Sequence, residues 1–130
     1  MKKVLLLKNA PRPLGPYSHA VSANGFVFIS GQIPLKPGGQ PGEWTGNTIG
    51  EQTRQCITNI EAILKELGGT LKDVVKVTVY LVDPGDYRAM NDAYREFFPS
   101  EPPARSVARI GAEPPGLLVS IDAIAVHSSH

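Results

Sequence analysis

The sequence predicts an α+β domain in which two helices lie on one face of a single mixed β-sheet. Three observations predict it. Two amphipathic stretches repeat their apolar residues at helical spacing; short runs rich in β-branched residues precede, separate and follow them; and Gly, Pro, Asn or Asp signals stand at nearly every junction. Each helical pattern falls between strand patterns, in the order β-ββ-α-β-α-ββ. Short connections then place all the strands, about six, in one sheet.

Val4 to Leu7 is an apolar run that reads as the first strand. Between Asn9 and Pro16, Pro11, Pro13 and Pro16 each fix φ and remove a backbone donor, so an extended loop is expected. From Ala20 to Ser30 two short runs flank Asn24-Gly25, the strongest short hairpin signal. Val27, Phe28 and Ile29 form the second arm, which stops at Ser30-Gly31. Pro34 to Gly46 is rich in glycine and proline and reads as a surface loop.

Thr48 with Glu51 has capping-box spacing and starts the first helix. Cys56, Ile57, Ile60, Ile63, Leu64 and Leu67 form its stripe, and Gly68-Gly69 supplies the stop. Val74 to Val82 is a strand ending at the turn Asp83-Pro84-Gly85. The second helix carries Tyr87, Met90, Tyr94, Phe97 and Phe98 on one stripe and closes before Pro99. Arg105 to Ile110 and Leu117 to Val126 are the last strands, and Ser128-Ser129-His130 is expected to fray. Two helices cover one face of such a sheet. Because Val74 to Val82 is apolar on both faces, burial of the second face in a homo-oligomer is expected.

Bulk composition supports one domain spanning 1–130. Glycine (13) and proline (12) exceed their usual combined share of roughly 12%. A hydrophobic fraction of 42% and a net charge of +1 nevertheless exclude a disordered chain. The near balance of charge offers no field for nucleic acid or an anionic membrane. Cys56 is the sole cysteine, so neither an internal disulfide nor a zinc site is expected, and a reducing setting fits. Met1-Lys2-Lys3 before Val4 to Leu7 is too short for a signal peptide, and no run is long enough to span a membrane. A cytoplasmic protein is expected.

Few residues suggest chemistry by position. Arg105 lies where the rigid Pro102-Pro103 loop enters a strand; it presents a planar fork of donors to a carboxylate ligand, or it is a surface ion-pair partner. Gly31, after Ser30, lets a ligand approach the backbone, or it simply turns the chain. Tyr17 offers a hydroxyl or packs, and Asn91 is either a helix-surface amide or the rim of a site. Cys56 reads as a core residue. His19, His127 and His130 have no metal-binding spacing, and no nucleotide or nucleophile-elbow fingerprint occurs.

In combination these segments are more specific. Asn9-Ala10-Pro11, Gly15-Pro16-Tyr17-Ser18 and Ser30-Gly31-Gln32-Ile33-Pro34 resemble the RidA (reactive intermediate deaminase) family, also called the YjgF family. Asn59-Ile60, Asp73-Val74-Val75-Lys76, Asn91-Asp92-Ala93-Tyr94, Pro103-Ala104-Arg105-Ser106 and Ile121-Asp122-Ala123-Ile124-Ala125 continue the resemblance in collinear order. It implies a chorismate-mutase-like homotrimer with three inter-subunit clefts. The implied reaction is hydrolysis of enamines and imines such as 2-aminoacrylate and 2-iminopropionate to 2-keto acids and ammonia, without metal or cofactor.

The resemblance also assigns roles. Arg105 would bind the substrate carboxylate, the Gly31 amide would be a second donor, and Ser30 would line the cleft. Tyr17 would approach the imine from the neighbouring subunit, with Asn91 and Tyr94 shaping the wall. Three positions depart from the pattern. Ser120 stands where family deaminases usually carry a glutamate that positions the attacking water, Val107 replaces a frequent cysteine, and His19 a common glutamine. A serine holds a water but is no base near neutral pH. The carboxylate-binding half of the site is thus expected intact and the water-handling half altered. A non-catalytic binder of 2-keto acids is the alternative; an endoribonuclease, as some relatives have been labelled, has little support from charge.

Overall fold

The computed structural model describes residues 1–8, 10, 12–40, 42–111 and 114–127. Asn9 and Pro11 of the first motif, and the 128–130 tail with His130, lie outside the described residues. Six strands, β1 (Lys3–Val4), β2 (Ala20–Ala23), β3 (Phe26–Gln32), β4 (Val74–Leu81), β5 (Ala104–Arg109) and β6 (Val119–Val126), form one sheet in the order β1-β2-β3-β6-β4-β5. Only β4 and β5 pair in parallel, with helix α2 (Tyr87–Phe97) in the crossover between them. Helix α1 (Ile49–Glu66) connects β3 to β4. The fold is the expected α+β arrangement of two helices with a mixed sheet.

Local chemistry accounts for the elements. Asn24 and Gly25 both adopt positive φ (50° and 82°), the two-residue turn that matches strand twist, and β2 pairs with β3 around it. Thr48 accepts a hydrogen bond from the Glu51 amide and donates one to its carboxylate. At the other end of α1, Gly68 turns left-handed (φ 80°), and the Gly69 amide reaches back to the Leu64 carbonyl at 2.8 Å. Cys56, Ile57, Ile60, Ile63 and Leu64 are buried along α1, and Leu67 is half-buried. They pack on Val27 and Ile29 of β3, on Val119, Ile121, Ala123 and Ala125 of β6, and on Val77 and Val79 of β4.

Several boundaries differ from expectation. The first strand is Lys3–Val4 rather than Val4 to Leu7: beyond a last bond from the Leu5 amide to the Ala20 carbonyl, Leu5 and Leu7 turn onto the core instead of pairing. Strand β3 does not stop at Ser30-Gly31 but continues to Gln32 through a register shift, a bulge that absorbs the extra residue. The last strand begins at Val119, not Leu117, and β5 already at Ala104.

In β4 the expected two-sided apolar strand is one-sided. A register shift between Val74 and Lys76 places Val74 and Val77 both inward and leaves Val75 41% exposed. Its outer positions are otherwise Lys76, Thr78 and Tyr80, all partly exposed. Apolar exposure on that face lies instead at Phe26, Phe28 and Val126. On α2, Met90, Ala93 and Tyr94 are buried, whereas Tyr87, read as part of the stripe, is 47% exposed.

The 34–46 segment is tied down more firmly than a surface loop. Leu35 is buried, the Asn59 amide donates to the carbonyls of Ile33 and Leu35, and Trp44 Nε1 donates to the Pro115 carbonyl. Gln52, fully buried, bridges Gly46, Gly116 and Leu118 with three hydrogen bonds. No described helix is long and apolar enough to cross a membrane.

Candidate active site

Arg105 is the second residue of β5, beside Val77 of β4. Val77 faces the helices, so the Arg105 side chain emerges on that side and meets α2. Its guanidinium lies 4.7 Å from the centre of the Tyr94 ring and 5.7 Å from that of Tyr87. Two aromatic faces favour a delocalised cation and restrict its orientation. Nη2 donates to the Tyr87 hydroxyl at 3.2 Å, and among the described residues no carboxylate pairs with the group. Most of its five donors therefore remain for a ligand.

The surroundings are built for a polar guest. Asn91, Tyr94, Arg95, Phe98, Pro103 and Arg105 are among the residues lining a depression of about 340 Å³. Asn91 Oδ1 and the Tyr94 hydroxyl are buried without a hydrogen-bond partner, unspent capacity of the kind that structures usually satisfy with water or ligand. Burial pushes the Tyr94 phenol above its ordinary range, with the Arg105 charge opposing. The Tyr87 phenol is held below its ordinary range, first by a hydrogen bond from Asn91 and then by the Arg105 charge. Val107, two residues along β5 and partly exposed, shares with Tyr87 and Leu81 a second depression of about 420 Å³.

Tyr17, Ser30, Gly31 and Ser120 form a separate group. The Ser30 hydroxyl donates to the Ser18 carbonyl at 2.6 Å, and the Ser30 amide to the His19 carbonyl. Buried Gln32 links the Ser30 carbonyl to His19 Nδ1, and Tyr17 stacks edge-on against the His19 ring at 5.9 Å. Ser120 lies across from Gly31, on the sheet face away from the helices beside Tyr80. Tyr17 also borders a depression of about 790 Å³ under the N-terminal segment, which includes neither Arg105 nor Ser120.

The sheet order keeps the two groups apart. Strands β6 and β4 lie between Gly31 and Arg105, three strand spacings or on the order of 14 Å. One chain thus unites Arg105, Asn91 and Tyr94, with Val107 alongside, and separately Tyr17, Ser30, Gly31 and Ser120. Tyr87 belongs to the apolar stripe by spacing, but the structure sets its ring and hydroxyl beside Arg105. Its position four residues before Asn91 and seven before Tyr94, on one helical face, was the available signal. Among the described residues no cluster of His, Cys, Asp or Glu is arranged to hold a metal ion.

Fold and site together define a small α+β protein with an aromatic-flanked arginine open to an anionic ligand. The family described as Endoribonuclease L-PSP matches residues 7–127. A RutC family protein of Pyrococcus horikoshii is 47% identical over 125 residues, 96% of this chain and 98% of that one. The bovine 2-iminobutanoate/2-iminopropanoate deaminase is 39% identical over 126 residues, covering 97% of this chain and 90% of its own. The crystal structure of Escherichia coli TdcF with bound serine matches with a TM-score of 0.85 at 34% identity, covering 97% of this chain and 99% of that one. The chain belongs to the RidA/YjgF family, the family of the RutC and L-PSP proteins.

Proposed function

We propose that this protein hydrolyses reactive 2-imino acids and their enamine tautomers, of the 2-aminoacrylate/2-iminopropionate type, to 2-keto acids and ammonia. The observation that carries this reading is the Arg105 guanidinium, held against the rings of Tyr87 and Tyr94 without a carboxylate partner among the described residues. A relative named for 2-imino acid deamination and another holding an amino acid fit the same ligand chemistry. The site is completed when copies of the chain associate as a homotrimer, because the other group of residues lies too far away within one chain. Exposed Phe26, Phe28 and Val126 supply an apolar face for that association.

In the composite cleft Arg105 binds the carboxylate bidentately, with the Gly31 amide as a further donor and Ser30 beside it. Tyr17 from the neighbouring copy packs against the imine, and Asn91 and Tyr94 form the wall. The protonated imine carbon is already electrophilic, so the site needs only to orient it towards water. Water adds to that carbon, a proton passes from the added oxygen to nitrogen, and the C–N bond breaks. The products are a 2-keto acid and ammonium, and the water supplies the keto oxygen. Ser120 holds the water by a hydrogen bond without removing its proton. No cofactor takes part, and cytoplasmic metabolism is the setting that fits such short-lived substrates.

The test generates 2-aminoacrylate with a serine dehydratase and follows pyruvate release. Arg105→Ala is expected to abolish the acceleration, and an Arg105→Ala variant equal to the parent sinks the assignment. Sedimentation of Phe28→Asp is expected to give monomers with little activity. Ser120 also favours a second reading, a non-catalytic sensor of 2-keto acids using the same clefts. Saturable 2-ketobutyrate binding without imine turnover would select it.

A further inference from the structure

Around Arg105 one strong hydrogen-bonding group has no place in the mechanism above: the Tyr87 hydroxyl. It is more than an aromatic wall. Its oxygen accepts from Arg105 Nη2 at 3.2 Å, and the Asn91 side chain stands beside it on the next turn of the same helix. A phenol oxygen that accepts from a guanidinium, which offers donors only, must point its own proton elsewhere. Tyr87 is 47% exposed, so the remaining direction is into the open cleft beside the guanidinium.

We propose that Tyr87 is a ligand-binding residue, whose hydroxyl donates to the same carboxylate that Arg105 holds. This rests on the reading of Arg105 as a carboxylate site and extends it. Arg105 orients the hydroxyl, and the hydroxyl in turn fixes one edge of the guanidinium. The anion meets an O–H and N–H donors presented side by side. Charge-assisted bonds of this kind are among the stronger ones available in an open site.

The arrangement has a pH signature. A neutral phenol donates, whereas a phenolate cannot; it also repels the bound carboxylate and neutralises Arg105. Binding is therefore strongest while the phenol is protonated and falls as pH rises through its ionisation. The Asn91 side chain and then the Arg105 charge draw that ionisation below the usual range of about 10. Other ionisable groups near the ring do not imitate the effect. The cationic neighbours, Arg105 on β5 and Arg109 at the second depression, are both arginines, a side chain type that does not deprotonate in proteins. Tyr94 on the same helix titrates later, and the Asp86 carboxyl in the preceding turn, beside Asp83, is raised by burial and then by the Asp83 charge.

Calorimetric titration with 2-ketobutyrate, from about pH 7 to about pH 10.5, past the ordinary phenol range, tests the proposal. The parent is expected to lose affinity towards the alkaline end. Tyr87→Phe is expected to bind about tenfold more weakly at neutral pH and to show no alkaline loss. Binding by Tyr87→Phe within about twofold of the parent, or a Tyr87→Phe profile with the parent's alkaline fall, would overturn it. A flat parent profile does so without any variant. Arg105→Ala separates the two levels: if it binds 2-ketobutyrate like the parent, the carboxylate site itself is misassigned. If it loses binding while Tyr87→Phe matches the parent, only the role of Tyr87 falls.

Discussion

Gly31 lies against the hydroxyl of Ser120, so closely that a β-carbon on Gly31 would stand 3.0 Å from Ser120 Oγ. The contact crosses from β3 to β6, beside the bulge that carries the strand through Ser30-Gly31. It puts the residue expected to offer a backbone donor directly over the residue that departs from the family pattern.

Gly31→Ala is accordingly expected to displace Ser120 Oγ and the backbone around it. Exposure at Gly31 keeps the stability cost below about 1 kcal/mol, whereas imine turnover should fall about tenfold or more. Adding Ser120→Ala, which removes the clashing oxygen, should recover part of the rate. The double-mutant cycle checks this: strict additivity would mean that the two positions act independently.

Ser120→Glu places a carboxylate where only a hydroxyl now stands. If water positioning limits turnover, the rate should rise by about tenfold or more, with a new acidic limb in the pH profile. Single-turnover pyruvate release measures it. An unchanged rate would show that the serine is not the slow point.

Asn59 is buried on α1 and donates to two carbonyls of the 33–35 segment. Asn59→Ala removes the donor to the Leu35 carbonyl, leaves the Ile33 carbonyl only its bond from the Leu35 amide, and opens a small void. A loss of about 2–4 kcal/mol is expected in urea unfolding. Loosening of the 34–46 segment should appear as faster amide exchange there.

Cys56 is fully buried, with its Sγ 3.8 Å from the Val119 carbonyl, and burial pushes its thiol well above the usual range. The folded protein should resist thiol reagents at pH 8, and labelling should accelerate by about a thousandfold or more in denaturant. Rapid labelling of the folded state would contradict this environment.

Much of the fold was legible because local chemistry and global packing agree. The Asn24-Gly25 turn, the Thr48 cap, the Gly68 stop and the α1 stripe each lie where spacing placed them. Misreadings gathered where a single extra residue reverses a strand's facing. The shifts at Val74/Lys76 and Ile29/Gln32 leave no trace in apolar periodicity, because an inserted residue looks like ordinary alternation until the partner strand is known. Tyr87 escaped for a similar reason: an aromatic at helical spacing reads as core, and only its depth distinguishes it.

By itself the sequence determined the element order, the core stripe of α1 and, through its family motifs, which residues to watch. Those properties depend on neighbours along the chain, so they are written in spacing and residue type. Only the tertiary structure decided that Arg105 lies against Tyr87 and Tyr94, and that two strands separate it from Gly31 and one from Ser120. Strand order and ring-to-cation distance depend on contacts between residues far apart in sequence. No local pattern specifies them until the hydrophobic core has chosen how the sheet assembles.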